Sequence, residues 1–584
     1  MDVTASNFDS VLPDVKSAID QASVVSFDCE FTGLGDGGLT VLPYDHPDLI
    51  YQRYYDTVEK FLVIQCGLCC FSYDETIDGY KYQAFNFYVF PKSFRKLLGL
   101  KSQRDEFYFT CQASSLHFLS DAGFDFNKWI KDGIPYLRAS EQKRLEEELE
   151  KRHHWQMDNI KKKVYQKKSA PKIPDSEKAE MTNILKQISD FMESSSAEPL
   201  LLENLTSYQR KLVYDSVEFK YGQSLFLTSV ESAFFTPHGQ LLIEKCDSDR
   251  TYEMCMNDRL RDKKAEVGSA TGFCKVIDHL QNSGKLVVGH NLLLDLLHLF
   301  DKFCAPLPQT YSEFKTALGS RFQRIIDTKF MISQSPLKEL FRYSGLSEAF
   351  ERVQKHPFNR VKIVPQTSTA RRYAGANNSD LTHEAGYDAY ITGRIFLEVS
   401  NYYASYKNPQ RSLSFLPEDI LEPFFNRLNI GRCIDLDSLN LGTTADNMPD
   451  RSGVLHLTLG SDLISTGDII NWFSPFGPIK VHWVDNQSAF VSLAKSGKMS
   501  SLLRQFQSKP DTRFQVATAD DYLQAKIKES AATSKKRKCT LSMSEGSSGS
   551  EPTKPKKLES GAKKMANGRN QNGTGAFSLD DNWS

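Results

Sequence analysis

Asp28 and Glu30 stand near the end of an apolar run, VVSFDCEF, at residues 24–31. Strand side chains alternate with period two, so both carboxylates project from one face and Cys29 from the other. Two oxygen ligands on one side suit a hard divalent cation, although a solvated strand face reads the same way. A second acidic position follows the buried run KLVVGH, which ends at Gly289-His290-Asn291 and leads to Asp295 in the first turn of a helix. Open α/β sheets place ligands just beyond strand ends. Asn291 would serve equally as a helix cap and Asp295 as the partner of a helix dipole. The third block is His383-Glu384-Ala385-Gly386-Tyr387-Asp388, at the start of a helix. On a helix of roughly 3.6 residues per turn, positions 383 and 388 lie about 140° apart. His383 must therefore precede the helix if both side chains enter one site.

If these acids meet in one site, one chemistry they would suit is metal-assisted hydrolysis of a phosphodiester. Water must be brought to an already anionic centre, and two Mg²⁺ ions about 4 Å apart can hold the attacking and leaving oxygens together. Mg²⁺ prefers carboxylate and water oxygens. Four crowded carboxylates without a cation raise one another's pKa values. The imidazole of His383 has the unperturbed pKa best matched to taking a proton from water near neutrality.

Three neighbouring features bear on the site. Gly33-Leu34-Gly35-Asp36-Gly37-Gly38 spells G-x-G-x-x-G, but a dinucleotide site needs a helix immediately behind it. The continuation LTVLPYDHP has a proline and no amphipathic period, so a loop beside Glu30 is expected instead. Phe31 is a candidate to stack on an RNA base, or else a core residue. Lys329, two residues after Asp327 at the end of the expected strand RIIDTKF, is a candidate to hold a substrate phosphate, or else forms a surface ion pair.

Large elements must position these residues. The chain has 584 residues, several times the roughly 150 of a typical domain, so three or four units are expected. The runs ASVVSFDCEF, FLVIQCGLCCFSY and YQAFNFYVF predict a strand meander. Residues 137–168 are highly charged and read as a solvated helical arm or linker. An α/β pattern then resumes: helix TGFCKVIDHLQNSG, strand KLVVGH, helix LLLDLLHLFDKF and strand RIIDTKF. Eleven cysteines without regular spacing suit a reducing compartment, and Cys66, Cys69 and Cys70 read as strand-core residues. Leu286–Phe300 is broken by His290, Asn291, Asp295 and His298, so no membrane span is expected. The first fifteen residues do not have the pattern of a secretory signal. The net charge of −1 argues against a polybasic binder, but it hides a split. Residues 525–576 hold 12 basic and 4 acidic residues, a net of +8, which leaves −9 on the remainder.

Asp-x-Glu, then GHN-xxx-Asp, then His-xxxx-Asp, in that order, resembles the DEDD exonuclease superfamily in its His-containing branch. The resemblance implies an RNase-H-like core, a mixed sheet flanked by helices, and two Mg²⁺ ions. It implies that Asp28 bridges them, with Glu30 and Asp388 on the nucleophile side, Asp295 on the leaving-group side and His383 on the attacking water. Within the long gap between Glu30 and Gly289, NLTSYQRKLVYDSVEFKYG is similar to the small Arg-x-x-x-His single-strand-binding module. Arg210 fills the arginine position, with Tyr214 in place of the histidine. Residues 453–522 resemble a ferredoxin-like RNA-recognition motif with depleted stacking positions: His456 replaces the first aromatic, and Phe490 alone remains of the central ones. That makes RNA binding on the sheet face doubtful. It leaves Trp483 as a platform for a methylated guanine cation, or else as a core residue.

The combination, together with HEAGYDAYITG, GHNLLLD, GFDFNKW, FNFYVFPK and QRKLVY, is similar to the deadenylases of that superfamily. The expected division is 1–172 for the first part of the nuclease, 173–245 for the nucleic-acid-binding insert and 246–430 for its second part. A cap-binding motif then occupies 440–522, and a disordered basic tail 523–584. The resemblance implies 3′-to-5′ removal of adenylates from mRNA and other RNAs as 5′-AMP, stimulation by the 5′ cap and a homodimer without a membrane anchor. Adenine preference comes from the resemblance alone, so a general 3′ trimmer and a non-catalytic RNA- or cap-binding scaffold stay open. Lys535, Lys536, Arg537 and Lys538 form a compact basic cluster that reads as a nuclear localisation signal, or else as a non-specific attractor of RNA; the first gives nucleus and cytoplasm as the expected location.

Overall fold

The computed structural model describes residues 1–35, 41–92, 108–163, 170–196, 198–230, 238–374, 381–409, 418–443, 446, 448–461, 463–494, 499–508 and 513–530. Four strands come first: β1 (Asp2–Val3), β2 (Val24–Phe31), β3 (Val63–Asp74) and β4 (Gly79–Tyr88). β2, β3 and β4 form the expected antiparallel meander. A separate three-stranded sheet follows, in spatial order β5 (Leu200–Thr206), β7 (His238–Lys245), β6 (Leu225–Val230). Helices Lys178–Glu193 and Ser207–Lys220 pack on it through their own apolar cluster, which includes Met181, Ile188, Val213 and Ile243. The charged stretch Ala139–Lys163 is a helix paired with helix Tyr252–Ser269.

The chain then returns to the first sheet with β8 (Leu286–Gly289), β9 (Ile325–Asp327) and β10 (Lys362–Pro365). The completed sheet runs β1-β4-β3-β2-β8-β9, and β10 lies beside β4. It is mixed: β2–β3 and β3–β4 are antiparallel, whereas β2–β8 and β8–β9 are parallel. A short hairpin, β11 (Arg427–Asn429) and β12 (Ser438–Asn440), closes the nuclease part.

Period-two alternation along β2 decides which side carries chemistry. Val25, Phe27, Cys29 and Phe31 enter a core shared with helix Phe8–Gln21 and the Leu292–Leu299 segment. Val24 and Ser26 face the opposite core, built on helix Ala385–Lys407. That helix lies close to the sheet because its contact residues are small. A Cβ on Gly393 would stand 2.1 Å from the Phe71 ring, and Ser26 Oγ donates to the Ala389 carbonyl at 2.6 Å. The expected strand RIIDTKF ends at Asp327, because the Asp327 carboxylate accepts the Lys329 N–H and starts helix Thr328–Ile332. The ten cysteines among the described residues are free, and Cys66, Cys69 and Cys70 are buried in β3.

The last sheet has the order β14 (Ile479–Asp485), β15 (Ser488–Leu493), β13 (Val454–Leu459), β16 (Phe514–Thr518). Helices Thr466–Phe473 and Met499–Ser508 follow the expected order. Its other face is roofed. Tyr44, from the nuclease part, sits edge-on to Phe490 and His482, and Tyr522 stacks flat on His456 at 3.5 Å. Arg451 ties the parts together by binding the Asp435 carboxylate and the Asp45 carbonyl. Residues 519–530 are helical, with Leu523 buried on this face. The expected tail boundary at 523 is thus too early, since Tyr522 and Leu523 have a sheet to pack against. Among the described residues no helix is long and apolar enough to cross a membrane.

Candidate active site

The two β2 carboxylates, Asp28 and Glu30, meet the start of helix Ala385–Lys407 because β3 makes room for it. Gly67 pairs with Asp28 across β2–β3, and a Cβ there would lie 1.8 Å from the Ala385 carbonyl oxygen. The helix starts without a side-chain cap of its own at Glu384. Two buried polar residues of the sheet take its first amides instead: Gln65 Oε1 accepts Ala385 N–H at 2.9 Å, and Asn86 Oδ1 accepts Gly386 N–H at 3.1 Å. This caps the orphan donors of the first turn and fixes where Asp388 emerges.

His383 precedes the helix, with a left-handed backbone at φ +69°. Such a conformation costs a residue bearing a Cβ roughly 1–2 kcal/mol. Its N–H donates to Asp388 Oδ2 at 3.2 Å, and its exposed ring meets Phe118 edge-on at 4.5 Å. Donor atoms of Glu30, His383 and Asp388 all lie within 4.8 Å of one another.

Asp295 lies close enough to act on Asp28 and Glu30 and accepts the Cys29 backbone N–H. Its helix is aimed by a residue that the motif does not contain. Asp327, fully buried, accepts the backbone N–H groups of Asn291 (2.9 Å), Leu292 (3.2 Å), Lys329 (3.0 Å) and Asn429 (2.9 Å). Asn291 has φ +62° and accepts from Asn429 Nδ2 at 2.8 Å, so the GHN turn is locked from two directions. His290 lies between Thr328 Oγ1 and the Ser344 carbonyl, at 2.8 and 2.9 Å. Burial and the nearby Lys329 hold its pKa down to about 4. A neutral imidazole then donates from Nε2 to Ser344 and accepts at Nδ1.

The electrostatics follow from crowding acids in a desolvated place. Burial, then Asp388, Asp295 and Glu30, push Asp28 well above the carboxylate range. Burial, then Asp388 and Asp295, do the same to Glu30. Burial raises Asp295 to about 8 and Asp388 to about 7. Burial lowers His383, which favours the neutral ring. Carboxylates that repel one another at pH 7 are relieved by cations, and an all-oxygen donor set fits hard divalent ions.

The other candidates are placed elsewhere. Phe31 is 8 % exposed and stacks on the buried His298 at 4.5 Å, so it is a core residue and not a base platform. Lys329, at the edge of the site beside His290, has no carboxylate partner among the described residues. Arg210 lies against the β7 backbone at Gly239 and bonds Ser207 Oγ at 3.0 Å. Trp483 is half-buried on edge strand β14, its indole N–H donating to Thr466 Oγ1 at 2.9 Å. Lys535–Lys538 lie outside the described residues. Sequence reasoning passed over Gly67, Gln65, Asn86, Asp327 and Phe118. For Gln65 the signal was a lone amide inside an apolar strand, and for Asn86 an amide set between Phe85 and Phe87; either, when buried, must have a partner.

A mixed sheet with this acidic cluster against one face belongs to the ribonuclease class of α/β folds. The chain belongs to the CAF1 family ribonucleases, whose profile matches residues 3–396, and an RNA binding domain profile matches residues 444–525. It is 35% identical over 538 residues to the poly(A)-specific ribonuclease PARN of Xenopus laevis, covering 91% of this chain and 82% of that one. The Homo sapiens protein of the same name is 35% identical over 541 residues, covering 91% and 81%. A solved structure of S. pombe Pop2p, described as its Mg²⁺ and Mn²⁺ bound form, shares 17% identity. It has a TM-score of 0.32 and covers 69% of this chain and 92% of that one.

Proposed function

We propose that this chain is a 3′-to-5′ exoribonuclease that shortens poly(A) tails and releases 5′-AMP. The observation that carries the reading is the convergence of Asp28, Glu30, Asp295 and Asp388, with His383 beside Glu30 and Asp388. The preference for adenylates is taken from the name of the relatives, which are 35% identical over most of this chain.

Asp28, Glu30, Asp295 and Asp388 would hold two divalent cations, Mg²⁺ by the chemistry of the donors, which supply an activated water and compensate charge on the leaving oxygen. The chain's own residues do the rest. His383, whose pKa desolvation lowers, offers in its neutral form a lone pair to take a proton from the attacking water, a contribution of about 10²–10⁴-fold in rate. Its backbone N–H to Asp388 holds the residue in place, and its contact with Phe118 orients the ring. Lys329, without an acidic partner among the described residues, supplies a positive charge for a substrate phosphate beside the Asp327 clamp.

The reading extends to the rest of the chain. Trp483, oriented by Thr466 on an edge strand, is the proposed contact for the 5′ cap, whose methylated guanine cation suits an indole face. Arg210 is the proposed RNA contact of the insert. A homodimer, and a location in nucleus and cytoplasm directed by Lys535–Lys538, complete the proposal.

The test is a capped, 5′-labelled RNA ending in adenylates, incubated with Mg²⁺. Progressive 3′ shortening that Asp28→Ala abolishes supports the reading. Absence of shortening, or shortening unaffected by Asp28→Ala, sinks it.

A further inference from the structure

We infer that Arg372, held by Asp2, is a positioning residue for His383; the inference rests on the exonuclease reading above. The left-handed backbone at His383 persists where its surroundings over-determine it. The bond to Asp388 and the contact with Phe118 hold the amide and the ring. The chain on the C-terminal side is held by Glu384. This residue occupies the N-cap position, yet its carboxylate turns away from the helix. It binds the Arg372 guanidinium and accepts the Tyr373 hydroxyl. Arg372 and Tyr373 thereby grip, at residue 384, the far end of the segment that delivers His383.

Arg372 is itself anchored to the sheet. Its Nη1 donates to Asp2 Oδ1 at 3.2 Å, and Asp2 also accepts Asn86 Nδ2 at 3.1 Å and the Lys128 ammonium. Asn86 carries the Gly386 amide as well. One connected set thus fixes two of the three residues that follow His383, Glu384 by its side chain and Gly386 by its amide. Gly386 has to be glycine here, because a Cβ would stand 2.6 Å from the Tyr373 hydroxyl and 2.8 Å from Asn86 Cβ.

Magnitudes separate this role from simple support. An ion pair with side chains 40% and 15% exposed adds little to stability. A misplacement of about 1 Å at a reacting group costs on the order of 10²-fold in rate. Loss of Arg372 should therefore appear in turnover and not in melting. The control is Lys81, whose pair with Asp74 on the same sheet is 40% and 19% exposed and remote from His383.

The experiment is steady-state shortening of an oligoadenylate with Mg²⁺ by the full chain and its Arg372→Gln, Arg372→Lys and Lys81→Gln variants, each also melted by circular dichroism. We expect Arg372→Gln to lower kcat about 10- to 100-fold, with KM within about twofold. Arg372→Lys should recover most of the loss, and Lys81→Gln should leave kcat unchanged. Four results overturn the inference while leaving the exonuclease reading intact. They are a kcat for Arg372→Gln near that of the parent, a loss carried by KM, no recovery with lysine, and a loss that tracks a fall in melting temperature. An inactive parent chain overturns both.

Discussion

Gly67 and the Ala385 carbonyl are so close that a single β-carbon at 67 would fall 1.8 Å from the oxygen. This approach sets the distance between Asp28, which pairs with Gly67, and Asp388, one turn into the helix. Gly67→Ala should force the helix off the sheet. Overpacking of a tight core costs typically 1–3 kcal/mol, so urea unfolding should shift by about that amount. Nuclease activity should fall by far more than the stability loss explains. Activity equal to that of the parent would show that the acids tolerate the displacement.

The crowded acids make the metal-free chain sensitive to pH in one direction. Asp295 and Asp388 are raised to about 8 and about 7 by burial, so the folded state binds more protons than the unfolded one between about pH 4 and pH 8. Stability then falls as pH rises through that window. Melting in EDTA should show the decline, and added Mg²⁺ should raise the melting point more at pH 8 than at pH 6.

Removing one acid should therefore stabilise the metal-free fold while it destroys function. Asp28→Asn takes away one of the repelling charges at little change in volume. Its melting temperature in EDTA at pH 8 should exceed that of the parent, its response to Mg²⁺ should shrink, and shortening of adenylate tails should cease.

Asp327 is buried too, and burial raises its pKa, but its oxygens are met by four backbone N–H groups that pull it back down. Asp327→Asn replaces one acceptor oxygen with a donor that faces amides. A buried group left unpaired costs about 1–3 kcal/mol, so the variant should be less stable in urea. Its Mg²⁺ affinity, read by thermal shift, should weaken because Asp295 loses its orientation.

Lys329→Ala should act on binding. A lost phosphate contact reduces the salt dependence of single-strand affinity by roughly 0.7 in log–log slope. We expect a higher KM, a similar kcat and a flatter salt profile. A fall in kcat alone would assign Lys329 to orientation and not to charge.

Much of the site was legible because chemistry leaves residue types at fixed spacings. The β2 alternation put Asp28 and Glu30 on one face, and the helix geometry required His383 to stand before its helix, which starts at Ala385. The supporting residues were hidden because their partners are distant in sequence. Gln65 meets Ala385 across 320 residues and Asn86 meets Gly386 across 300. Phe31, open in the sequence between a base platform and a core residue, is decided by packing. Alternation places it with Cys29 on the side away from the acids, in the core. The strand after Gly319 was drawn too long because an aspartate that caps a following helix looks, in sequence, like any polar strand residue.

The roof over the last sheet carries a practical consequence. A chain shortened before Arg451 would lose the cover of Tyr44 and Leu49 and the salt link between Asp435 and the 451 guanidinium. It would present a fresh apolar patch on the nuclease, a known invitation to self-association. Deleting the C-terminal domain would thus change solubility as well as remove the part that matches an RNA binding domain. A comparison of short and long chains needs Tyr44→Ser in both before its difference can be assigned to RNA.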